Sequence, residues 1–138
     1  MKKLKVSLWG QDFYADLLPD KAPHVIEALE QAGEFTSFIV YAKICDHEIT
    51  WPVPFLVGEL ENPVWDQVPG SVIYYPPHQA VCIFYGDTPS VAWCNQFALM
   101  PPDELARLRP VADRVWAEQG AHVTTSIVEV EDEGGEQA

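Results

Sequence analysis

The chain has 138 residues, and its 8 basic and 21 acidic side chains give a formal net charge of −13. So acidic a surface repels phosphate backbones and anionic lipid, which excludes nucleic acid and polybasic membrane docking as expected partners. Hydrophobic residues at 48% and charged residues at 21% fit one globular domain, long enough to bury a core without a disulfide or metal staple.

No apolar run approaches the roughly 18 residues of a membrane span. The start, Met1-Lys2-Lys3-Leu4-Lys5-Val6, leads straight into alternation and not into an apolar signal segment. Three cysteines, an odd number, argue against a disulfide framework and fit a reducing cytoplasm. We expect a single cytoplasmic domain over 1–128, an acidic tail over 129–138, no metal and no cofactor.

In chain order, Leu4, Val6 and Leu8 alternate with polar residues and predict a half-buried strand. Gly10-Gln11-Asp12 reads as a turn into a partner strand with Phe13, Ala15 and Leu17 on one face. A helix follows, with Asp20 near its cap, Pro23 in its first turn and Gly33 as its stop. Val25, Ile26, Leu29 and Ala32 form its apolar stripe. Phe35 to Cys45 reads as one buried strand, and His47 to Trp51 continues extended until Pro52-Val53-Pro54, which cannot donate to a ladder. After an acidic loop, Ser71–Tyr75, Ala80–Tyr85 and Ser90–Asn95 read as three strands. Asp103 caps a helix carrying Leu105 and Leu108, and Pro110 is expected to kink it or to start a new helix bearing Val111, Ala112, Val115 and Trp116. Gly120 ends that region, and Ala121 to Val130 alternates as a last long strand.

Roughly eight strands with two poorly spaced helices do not make a βαβ repeat; a closed barrel with helices over its ends buries the edges of such a sheet. The run Asp12 to Leu29, with Ala22-Pro23 opening its helix, resembles the first hairpin and helix of cyclophilins. The run Pro69 to Pro89, together with Ile49-Thr50-Trp51-Pro52-Val53-Pro54, resembles a family of small uncharacterised bacterial proteins with a cyclophilin-like fold. The resemblance covers roughly half the chain and implies a mainly β, closed, eight-stranded cyclophilin-like barrel capped by two helices. It does not imply prolyl isomerase activity. Cyclophilins use an arginine beside a Phe-Met-x-Gln stretch, and His47-Glu48-Ile49-Thr50-Trp51 has none of these residues. The arginines, Arg107, Arg109 and Arg114, all fall in the second helical region.

Cys45 and His47, two apart on an extended segment, could share a face as an activated thiol and its base, or could be a small hydrophobe beside a strand-end histidine. Cys82 and Cys94 read as core. Nothing has the spacing of a zinc site. Pro76-Pro77-His78-Gln79 interrupts two strands where a barrel rim would lie, and His78 could hydrogen-bond there with a tunable charge. Trp51, Trp93 and Asn95 could line the same mouth, although tryptophans in a small barrel also serve as core or oligomer contacts. The expected function is a module binding a small molecule or peptide through His47, Trp51, His78, Trp93 and Asn95. The alternative is an enzyme acting on an amide-like or small metabolite substrate through a Cys45/His site at the rim. Five tryptophans and twelve prolines exceed what so small a barrel encloses easily, so a homo-oligomer is expected.

Overall fold

A computed structural model describes residues 1–89 and 91–131. All but three residues of the expected acidic tail therefore lie outside the described residues. Ten antiparallel strands form one sheet, with helices α1 (Pro23–Ala32) and α2 (Pro102–Ala117). The strands are β1 (Lys2–Leu8), β2 (Gln11–Leu17), β3 (Phe35–Phe38), β4 (Val40–Tyr41), β5 (Glu48–Pro52), β6 (Pro63–Val64), β7 (Ser71–Tyr75), β8 (Ala80–Phe84), β9 (Cys94–Leu99) and β10 (His122–Glu129). Their order is β3-β10-β1-β2-β9-β7-β8-β5-β4, and β6 adds to β9.

The first and last long strands pair as their alternation requires, with Leu4 opposite Ile127, Val6 opposite Thr125 and Leu8 opposite Val123. The hairpin between β1 and β2 turns on Trp9 and Gly10, both at positive φ, one step before the expected turn. Two consecutive residues at positive φ match the right-handed twist of the flanking strands.

The sheet is not a closed barrel. Its terminal strands, β3 and β4, are consecutive in the chain with only buried Ile39 between them, yet no ladder joins one edge to the other. Beside this seam Pro52, at the end of β5, has no N–H to donate, and its carbonyl accepts the Ser37 hydroxyl at 2.7 Å. The single strand expected over Phe35 to Cys45 is two short ones around a corner, followed by a turn.

The core lies on the concave face. Leu4, Phe13, Trp51, Tyr74, Val81, Ile83 and Phe97 meet Val25, Ile26 and Leu29 of α1 and Leu105, Leu108, Ala112 and Val115 of α2. Burying Leu29 alone contributes about 2 kcal/mol. The Trp51 indole N–H donates to the Thr125 hydroxyl at 3.0 Å, so the largest core side chain leaves no polar atom unpaired.

Two helix readings change. Asp20 does not cap α1. The Glu61 carboxylate arrives from a distant loop to accept the His24 and Val25 N–H groups at 2.7 and 3.1 Å. Such an anion satisfies the orphan donors of a first turn and complements its dipole. Pro110 does not start a new helix; it sits inside one continuous segment.

Candidate functional site

Strand alternation gives β5, β7 and β8 two unlike faces. Ile49, Trp51, Val72, Tyr74, Val81 and Ile83 point to the core. Glu48, Thr50, Ile73, Tyr75, Cys82 and Phe84 point the other way, onto the convex face, where a second apolar cluster of Ile73, Cys82, Phe84 and Cys94 is also buried.

Two loops border that face. The β4–β5 connection is folded back by Ala42 N–H to the Glu48 carbonyl and by Asp46 N–H to the Ala42 carbonyl, both 2.9 Å. The Tyr41 hydroxyl bonds the Asp46 carboxylate and accepts the His47 N–H at 2.8 Å, and Asp46 and His47 both take positive φ. This turn brings Lys43, Ile44 and Cys45 along one side of a cleft of about 530 Å³, with Val91 and Ala92 among its other lining residues. That volume lies within the range of small-molecule sites.

The floor carries Glu48, only 6% exposed, with the three cysteines around the same cleft. Interactions with the Cys45 and Cys82 thiols and with His78 favour its carboxylate form. Burial outweighs these contacts and holds the Glu48 pKa above the ordinary carboxylate range. The Lys43 ammonium lines the cleft too, but it sits 4.7 Å from the centre of the Trp116 ring. Among the described residues no group of three or more His, Cys, Asp or Glu is arranged to hold a metal ion.

Of the sequence-predicted residues, Cys45 and His78 line this cleft and the others do not. His78 closes a 3-10 turn at Pro76–His78, its ring edge-on to Tyr75 at 4.9 Å. His47 is turned out of alternation by its positive φ. Its ring lies so close over Gly86 that a Cβ there would stand 2.9 Å from it, and its Nδ1 is 3.0 Å from the Asp87 carbonyl. Cys45 and His47 therefore do not share a face. Trp51 is fully buried in the core. Trp93 is exposed and packs on Trp65, with ring centres 5.3 Å apart. Asn95 is buried beneath the loop before β6, accepting the Glu61 and Asn62 N–H groups, while its amide nitrogen has no protein partner.

The thiols are not poised as nucleophiles. Burial, then the Glu48 carboxyl group, pushes Cys45 up to about 12. Burial and Glu48 push Cys94 up to about 11, and they raise fully buried Cys82 as well. A reactive cysteine needs the opposite environment. Sequence reasoning missed Glu48, Tyr75 and Phe84; Cys82 and Cys94 are buried as expected, in the second apolar cluster.

A larger concavity, about 920 Å³, lies near the start of β1 and the end of β10. Two of its charge pairs are matched at its wall, Lys3 with Asp16 at 3.2 Å and the N-terminal ammonium with Glu129 at 3.2 Å. The smaller cleft, whose buried acid lacks a strong donor, is the better candidate.

Several solved chains share this fold. McbB, solved in complex with tryptophan, superposes with a TM-score of 0.79 at 15% identity, covering 96% of this chain and 47% of that one. The chain thus spans about half the length of McbB. The hypothetical protein AF2241 from Archaeoglobus fulgidus gives 0.68 at 19% identity, covering 90% of this chain and 92% of that one. At these identities the likeness concerns the fold. No protein-family model and no curated protein sequence matches the chain. Among the described residues no helix is long and apolar enough to cross a membrane.

Proposed function

We propose that the protein is a small-molecule-binding module whose site is the convex-face cleft over β5, β7 and β8. One observation carries this reading: an acid only 6% exposed, at the floor of an otherwise largely apolar cleft of about 530 Å³ that is also lined by three thiols. Buried carboxyl groups in such surroundings are costly, and functional sites are where they concentrate. The fold-mate McbB was solved with tryptophan, which makes an aromatic amino acid a sensible first probe. Chemical-shift mapping with tryptophan and a small set of aromatic fragments tests the site. Shifts centred on 42–48, 73–75 and 92–94 are expected; shifts confined to the groove beside β1 and β10, or none, overturn it.

The curled sheet with two helices supports a cyclophilin-like scaffold opened at one seam. Prolyl isomerase activity is not part of this reading, because all three arginines stand on α2, away from the β5 strand. A model X-Pro peptide should isomerise at about its uncatalysed rate, over tens to hundreds of seconds. The exposed Trp65–Trp93 pair supports self-association, which light scattering reads directly.

The alternative, catalysis through a Cys45/His pair, has little support, since His47 faces elsewhere and the thiol is held protonated.

A further inference from the structure

We infer that the cleft selects an ammonium group carried on a compact apolar body, with the Glu48 carboxylate as its counter-ion. This rests on the reading of the cleft as a small-molecule site and names what that site takes.

The argument starts from what surrounds the acid. Glu48 leaves β5 on the convex face and meets Cys45 from the β4–β5 turn and Cys82 from β8. Both are weak donors, so a carboxylate there has little to replace the water it has lost. The remaining titratable or charged groups around the cleft are Cys94 from β9, Tyr41 from β4, Tyr75 from β7, His78 from the 3-10 turn, and Lys43. Tyr41 is committed to Asp46. The Lys43 ammonium lies over Trp116. Among the described residues no cation, other than a protonated His78, is thus placed to complete the site.

The other ligand classes fit less well. An anion would meet the Glu48 charge on a chain already at −13. A neutral apolar molecule would leave the acid with only the weak thiols beside it. A divalent metal lacks a ligand set among the described residues. A protonated amine supplies two or three N–H donors to the carboxylate and sets its apolar body among Ile73, Phe84 and Tyr75. Aromatic rings beside a cation add attraction when the site is desolvated.

Phenethylamine, 2-phenylethanol and 3-phenylpropionate share a body and differ in charge, so titrating each into the protein separates the cases. The amine should bind at pH 8 about tenfold tighter than the alcohol, the gain expected of one charge-assisted hydrogen bond. Its affinity should rise with pH as Glu48 ionises, because the amine stays protonated up to pH 8, and binding to the protonated acid should release a proton. The alcohol should show no such rise. Glu48→Gln should abolish the preference for the amine and its pH dependence. If the alcohol or the acid binds the cleft as tightly as the amine, Glu48 is not the selector and only the cleft reading survives. If none of the three shifts the amides of 42–48 and 92–94, the cleft reading fails as well. The isostere and pH comparisons on the unaltered protein decide the matter even if Glu48→Gln does not fold.

Discussion

The two faces of β5 are one residue apart and chemically opposite. Inward, Ile49 and Trp51 are fully buried, and the one polar atom among them has its partner in Thr125. Outward, Glu48 is nearly as buried, but its contacts are thiols. A polar group satisfied inside the molecule serves the fold. A polar group buried without strong partners costs stability and is kept where something else can supply the partner. The contrast separates scaffold from site more sharply than exposure does, since neither face is open.

Four measurements break or sharpen that contrast. The largest effect should be on thiol chemistry. Cys45 should alkylate at pH 7 on the order of a hundredfold or more slower than a free thiol, and all three cysteines should react on unfolding. Fast labelling of folded Cys45 would restore the nucleophile reading. Trp51→Ala should destabilise by about 3–5 kcal/mol in urea melts, as removal of a core aromatic does. Thr125→Val leaves the indole N–H orphaned and should cost about 1–3 kcal/mol. A neutral result would show that water reaches the interior.

The smallest effect has the opposite sign. Because the folded pKa of Glu48 lies above its unfolded value, its protonated form is favoured in the native state, and stability falls as pH rises from the unfolded to the folded pKa. Glu48→Gln removes that loss. The variant should gain on the native protein as pH rises above the ordinary carboxylate range, and the difference should shrink to nothing below it. A variant less stable at pH 7 would mean that the carboxylate is better solvated than its surroundings suggest.

Much of the fold was legible in the sequence because period-2 alternation survives wherever one face meets water. Leu4, Val6, Leu8 and Val123 lie where their pattern puts them. What escaped was set by tertiary contacts. A glutamate from a remote loop, not Asp20, holds the start of α1. The corner at Ile39 splits a run that reads as one strand. The expected strand Ser90–Asn95 overlaps only the start of β9, which runs Cys94–Leu99.

The site was readable only in fragments. Ala80 to Phe84 is apolar on both faces, which says that something covers the outer one. Glu48 stands opposite Ile49 and Trp51 in phase, so it had to meet that covered face. Strand pairing between β5 and β8 is the missing fact, and no local pattern supplies it. The positive φ at His47, which turns the imidazole away from Cys45, is equally invisible to spacing.

The corner at Ile39 also bears on how this chain behaves in a crowd. An open sheet ordinarily offers two rows of unpaired backbone groups, each a template for a strand from another molecule. Here both border strands spring from the same bend, one of four residues and one of two, and the hydroxyl of Ser37 ties their neighbourhood to Pro52. A passing extended segment finds too short a length on either border to nucleate on. Opening that bend, rather than loosening the core, would be the route to fibrils.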